Sequence, residues 1–283
     1  KSSDISKSAE KIDLKGNIAI PGIVDMKAFV GEPGFEYKEN FRTLSQAALA
    51  GGVTSIVTMP NTKPVIDNVS MVDFIIRRGR DKAKVNLFPC ASITRQREGN
   101  QMTEFGLLKA RGIIGFSDVN KTIQNSELMS RIMNYASDID VLIMQHAEDY
   151  ELSRNSCINQ SEVATRLGLQ GVSDIAEKII IERDLSLLSV FPCRYHINQI
   201  SSKNSLNVIK KNKSNGIKFS TGVSINNLSL NQNDIGEFRT FLKLSPPLRS
   251  EEDRISLIEG IKNDLIDVIV SDHKPEDEEQ KRL

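Results

Sequence analysis

The chain predicts an α/β fold, a (β/α)8 TIM-like barrel, on three observations. Short apolar, β-rich runs alternate with helix-period segments; the runs number eight, which is the count that closes a barrel; and polar residues gather where the runs end. The strand readings are Ile20–Phe29, Thr54–Met59, Asn86–Ala91, Ile113–Phe116, Val141–His146, Tyr195–Ile200, Ile217–Thr221 and Asp267–Ser271. Between several of them, Asn40–Ala50, Ser70–Lys82, Ser126–Ser137 and Glu251–Lys262 carry the helical pattern. Gly51–Gly52 reads as the stop of the first helix, feeding the second strand. A doubly wound open sheet is the competing arrangement, and no GxGxxG turn follows a strand to support it. Residues 1–18 form an N-terminal lead-in and residues 19–283 the barrel. No helical pattern follows the eighth strand, so the barrel reads as lacking its C-terminal end.

Composition excludes several classes. A length of 283 residues suits one large domain, and 39% hydrophobic with 26% charged residues is ordinary for a soluble globular protein. Lys plus Arg equals Asp plus Glu at 37 each, so no global field draws the chain to nucleic acid or an anionic membrane. No apolar run approaches the roughly 18 residues of a membrane span, and there is no leader of the signal-peptide kind. Cys90, Cys157 and Cys193 are scattered and odd in number, which fits a reducing cytoplasm better than a disulfide framework. The Arg77, Arg78 and Arg80 cluster lies near the end of one charged helix and reads as solvated. Only His146, His196 and His273 are available to an imidazole-rich metal site.

The strand-end polar residues are Lys27 and Gly31, Asn61 and Thr62, Ser117 and Asp118, His146 with Glu148 and Asp149, Gln199, and Asp272. In a barrel of this kind they surround the C-terminal mouth, where active sites sit.

Seven segments carry a resemblance: VDMKAFVGEPGFEYKENF (residues 24–41), GGVTSIVTMPNTKPVID (51–67), FSD (116–118), HAED (146–149), RYHINQIS (194–201), SPPLRSEEDR (245–254) and DVIVSDHKP (267–275). Together they resemble dihydroorotase of the amidohydrolase superfamily, and the pairing of EPGFEYKE with MPNTKPVID favours it over dihydropyrimidinases and allantoinases. The resemblance implies a barrel of the amidohydrolase type with a small β-sandwich built from both chain ends, of which residues 1–18 are a remnant. It also implies pyrimidine biosynthesis, zinc, a metal-bound hydroxide and an eighth-strand aspartate as general acid/base.

Carried over residue by residue, the resemblance puts the family's ligand set in conflict with this chain. The first-strand His-x-His falls on Lys27 and Phe29, an ammonium and a side chain without a lone pair. The fourth-strand ligand falls on Val119, and the sixth-strand histidine on Gln199. His146 and Asp272 keep their types as residual ligand positions, Asp272 then being a vestigial catalytic residue. Two ligands make neither a closed zinc site nor a three-ligand catalytic one. His196 lies three residues before Gln199, an odd offset expected to face it away. In the substrate pocket Asn61 persists. The arginine before EPG is Gly31, the asparagine before PPLR is Ser245, and the second histidine of DHxPH is Glu276, a carboxylate expected to repel an anionic substrate.

The expectation is therefore a dihydroorotase-like pseudoenzyme with no cofactor, cytoplasmic and homo-oligomeric, kept as a structural partner of aspartate carbamoyltransferase. Two alternatives stay open. One is an active dihydroorotase with a rebuilt or single-metal site; the other is a barrel that binds a different small ligand.

Overall fold

The computed structural model describes Glu10 and residues 12–282. Runs rich in valine and isoleucine set the strands: β1 (Ile23–Ala28), β2 (Val53–Thr58), β3 (Asn86–Ala91), β4 (Gly115–Phe116) and β5 (Leu142–Gln145). Two short strands follow, β6 (Ile158–Asn159) and β7 (Gly171–Val172), and then β8 (Arg194–Ile197), β9 (Ser220–Ser224) and β10 (Val268–Val270). The main sheet runs β1-β2-β3-β4-β5-β8-β9-β10 with parallel pairing, for example Ile56 opposite Leu87 and Met144 opposite His196. The ring closes where Ala28 bridges His273 in parallel, with the Phe29 N–H donating to the His273 carbonyl at 2.9 Å. Asp25 adds to that seam by accepting from the Ser271 N–H at 3.2 Å. The architecture is a (β/α)8 barrel.

Alternation along the strands sorts the core. Ile56, Ile143, Tyr195, Ile197 and Val223 join helical Leu44, Ile75, Ile132, Leu185 and Ile209 between barrel wall and helices. Val57, Met59, Cys90 and Met144 face the other way and fill the inside with Val119. Each fully buried side chain of this size contributes about 1.5–3 kcal/mol, so the outer layer carries most of the stability.

The major helices start at polar caps beside the strand ends. Asn40, Asn68, Asn125, Ser202 and Ser250 accept first-turn N–H groups of helices Phe41–Ala50, Val69–Lys82, Ser126–Asp138, Lys203–Ser214 and Glu251–Lys262. Each such cap typically contributes about 1 kcal/mol. They also aim the helix N-termini at the mouth face, because each helix follows a strand's C-terminal end.

Several boundaries differ from the sequence expectation. The first strand begins at Ile23, the fourth is only Gly115–Phe116, and the seventh barrel strand is Ser220–Ser224 instead of Ile217–Thr221. Ile217 and Phe219 still pack on the outer core, so their apolar character reports burial and not pairing. The β6–β7 pair, unforeseen in the sequence, belongs to an excursion between β5 and the long helix Ile175–Val190. Its own core joins Ile158, Val163 and Ala164 to Ile235 and Leu248. For the expected sandwich remnant at residues 1–18, residues 1–9 and 11 lie outside the described residues. Among the described ones before β1 there is a turn at Lys15–Gly16 and no strand.

Candidate functional site

Lys27 alternates with Met26 and Ala28 on β1 and is 6% exposed. Its Nζ lies 3.0 Å from Asp272 Oδ1 and donates a hydrogen bond to Gln199 Oε1. Those partners follow β10 and β8, so one ammonium ties together the ends of three strands that are far apart in sequence. Gln199 is buried, and its Nε2 has no partner among the described residues. Burying an unpaired ammonium costs several kcal/mol, and the Asp272 carboxylate offsets part of that. Asp272 sits in the left-handed region at φ 54°, which aspartate tolerates better than most residues.

Val119 has φ 64°, a costly conformation for a β-branched side chain. It is buried against Val57, Met59, Cys90 and Met144, and that packing holds it there. Phe29 is likewise buried, with its ring centroid 6.2 Å from that of Phe35. Neighbouring Asp118 turns away from the mouth: its Oδ1 accepts from the Ile93 N–H at 2.9 Å and the Thr94 N–H at 3.1 Å. Burial pushes its carboxyl up to about 6.

His146 stands apart from Lys27 and instead meets Glu148 and Ser245. Its Nε2 lies 2.9 Å from Glu148 Oε2 and 3.3 Å from Ser245 Oγ, while Ser245 Oγ donates to Glu148 Oε2 at 3.1 Å. Burial works to raise the Glu148 carboxyl, but the His146 ring and the Ser245 hydroxyl outweigh it and hold the group at about 2. Serine, histidine and glutamate in contact suggest a nucleophilic relay. A relay needs the serine and the acid on opposite ring nitrogens, whereas here both meet Nε2 and Nδ1 has no partner among the described residues. The trio is a polar anchor for the loop at Ser245.

The remaining expected residues are placed as follows. Asn61 lines the mouth cavity with Lys27, Phe29, Met59, Val119, Ser245, Asp272 and Glu276. Gly31 has φ 72°, and a Cβ there would fall 2.3 Å from the Glu39 carbonyl oxygen, so no side chain fits. Glu276 does not stand as a bare repulsive charge: it lies 3.0 Å from Lys274 Nζ and 3.6 Å from Lys38 Nζ. His196 is also placed differently from the odd-offset argument. Strand β8 ends at Ile197, so alternation stops before Gln199, and both residues are buried. Depth separates them instead: His196 Nδ1 meets Ser220 Oγ at 2.8 Å one strand across, and burial lowers the ring to about 4. Arg78 is not merely solvated. It pairs with the buried carboxylate of Glu32, which also accepts from the Phe41 N–H at 3.4 Å and so braces the EPG loop. Arg249 of PPLR is buried and structural, donating to Asn159 Oδ1 and the Val172 carbonyl at 2.8 Å and to Ser201 Oγ at 3.0 Å.

Sequence reasoning missed Lys243 and Lys281, which also line the cavity. Neither makes an ion pair among the described residues. The Lys281 amine rests on the carbonyls of Phe241 at 3.0 Å and Lys243 at 3.2 Å. Both lie in loop and end segments whose local pattern carries no signal.

The donor set does not fit a zinc centre. Phe29 and Val119 supply no donor atom, and the Lys27 ammonium takes the Gln199 oxygen. No three His, Cys, Asp or Glu among the described residues lie close enough together to hold a metal.

Comparison with known proteins gives one family. Residues 16–205 match the family model described as Dihydro-orotase-like. The chain is 41% identical over 275 residues to the dihydroorotase of Ehrlichia canis (strain Jake), covering 97% of this chain and 61% of that protein. It is 40% identical over 271 residues to the dihydroorotase of Syntrophus aciditrophicus (strain SB), covering 96% of this chain and 64% of that protein. It thus spans a little over three fifths of the curated relatives it matches. In fold it resembles the L-hydantoinase (dihydropyrimidinase) from Arthrobacter aurescens, with a TM-score of 0.84 at 20% identity over 99% of this chain and 64% of that one.

Proposed function

The chain belongs to the dihydroorotase-like family, and from that premise we propose a member that has given up metal-dependent hydrolysis and serves pyrimidine biosynthesis as a structural partner of aspartate carbamoyltransferase. One observation carries the reading: the Lys27 ammonium stands between Gln199 and Asp272 where the family resemblance expects metal ligands. A divalent ion beside that ammonium would meet like charge, with Phe29 and Val119 offering it nothing. Asp272, the residue that the resemblance makes a general acid/base, faces an ammonium at 3.0 Å where that role would need a metal-bound hydroxide. Gly31, which has no room for a side chain, cannot supply a guanidinium to a substrate carboxylate. Losing one charge-assisted hydrogen bond costs about 1.5–3 kcal/mol, and metal activation of water is the larger loss.

The scaffold half of the reading rests on the resemblance to non-catalytic dihydroorotase homologues. The reading includes a cytoplasmic homo-oligomer. Among the described residues no helix is long and apolar enough to cross a membrane. The rival reading, an active dihydroorotase with a rebuilt or single-metal site, is favoured by the names of relatives at about 40% identity. The test is zinc content after purification with added zinc, a dihydroorotate hydrolysis assay, and co-purification with the carbamoyltransferase. We expect well under one zinc per chain, no hydrolysis and a stable complex. Hydrolysis abolished by Asp272→Ala would establish the rival, and an active-site-dead protein that ignores the carbamoyltransferase would leave the barrel as a ligand binder.

A further inference from the structure

We infer that Lys27 is a carbonyl-trapping amine: the mouth takes a small anionic aldehyde or 2-oxo acid and joins it to Lys27 as a protonated Schiff base. Lys27 is nearly withdrawn from bulk water, yet it lines the mouth cavity, so the little of its side chain that remains open faces that space. Phe29, Met59 and Val119 make the apolar side of that space. Desolvation in a partly apolar pocket is one way a lysine becomes a nucleophile, and a carboxylate beside it can take up and return the proton. The acceptor is Asp272, whose Oδ1 is 3.0 Å away.

The step balances without a metal or an outside oxidant. Asp272 takes a proton from the ammonium, and the freed amine attacks the carbonyl carbon to form a carbinolamine. Asp272 then returns the proton to the departing hydroxyl, which leaves as water as the C=N bond forms. Site charge is the same at both ends, an ammonium beside a carboxylate becoming an iminium beside the same carboxylate. A pocket built to hold a cation against Asp272 therefore holds the product equally well, and no new charge is buried. The class of carbonyl compound follows from the rim. Lys243 and Lys281 line the same cavity and make no ion pair among the described residues, where their amines meet only backbone carbonyls, so a ligand carboxylate finds two cations there with no carboxylate on them. Because this chemistry needs neither zinc nor hydrolysis, it stands or falls separately from the proposed function.

Reductive trapping tests it. The full chain is incubated with pyruvate or glyoxylate and cyanoborohydride, and lysine modification is mapped by peptide mass. The expected product is one dominant adduct on the Lys27 peptide, with a mass gain equal to the carbonyl compound less one oxygen atom. Exposure alone would rank Lys27 among the last lysines to react, so surface chemistry cannot imitate this result. Lys27→Arg keeps the cation and the fold, checked by an unchanged melting temperature, and should abolish the dominant adduct. Asp272→Asn should slow labelling by on the order of 10²-fold, the usual range of a positioned acid/base. Replacing Lys243 and Lys281 by glutamine should weaken trapping of pyruvate but not of acetaldehyde. Modification confined to exposed lysines, with Lys27 untouched, overturns the inference. Pyruvate trapping by that double variant as fast as by the wild type overturns the anionic class.

Discussion

Replacing Lys27 with methionine removes the ammonium while keeping much of the side-chain volume. Asp272, four-fifths buried, is then left without its cation, and the Gln199 amide oxygen without its donor. Removing one partner of a buried pair costs about 3–5 kcal/mol, and the residual access of water to Asp272 places this case near 3. At roughly 2–4 °C per kcal/mol for a domain approaching this size, the melting temperature should fall by on the order of 6–12 °C. Asp272→Asn is the matched partner because asparagine tolerates the left-handed backbone at φ 54°, so that change isolates the charge. The double variant Lys27→Met with Asp272→Asn should lose clearly less than the sum, with a coupling of about 1.5 kcal/mol or more. Denaturant and thermal unfolding of the four proteins, each with and without chelator, measure this. A Lys27→Met loss below about 0.5 kcal/mol would match a solvated surface pair and refute the buried-cation argument. So would a chelator-induced fall in the wild type, which would show a metal holding the site.

Gly31→Ala should cost more than the roughly 1–2 kcal/mol of a left-handed alanine, because its Cβ meets the Glu39 carbonyl; unfolding in denaturant reads the loss. His196, lowered by burial to about 4 from 6.5, makes the unfolded chain bind a proton that the folded one refuses. Its contribution is complete above pH 6.5 and is lost as pH falls towards 4, by about 3 kcal/mol. His196→Asn should flatten the stability–pH curve in that window, and an unchanged slope would show that another group sets it. Burial pushes the Cys90 thiol up to about 12, so an alkylating reagent should modify it only on unfolding, as peptide mapping after native labelling will show.

Local chemistry in the sequence determined the strands, helices and family. β-branched runs, helix-period segments and polar caps act within a few residues of themselves, so the alternation that builds the barrel is written where it acts. That Phe29 and Val119 carry no donor atom and Lys27 is an ammonium was equally legible, because a residue's donor atoms do not depend on its surroundings. Placement was not. The β6–β7 pair depends on Ile235 and Leu248, more than sixty residues further along the chain, so no local pattern announces it. Alternation fails at Gln199 because β8 has already ended, and Lys243, just past a short turn, and Lys281, ending the helix Glu278–Lys281, reach the mouth from outside the barrel strands. That Lys27 is a buried cation at the centre turned on two partners 172 and 245 positions away, Gln199 and Asp272. Charge and burial are sums over neighbours, and closing the barrel is what chose them.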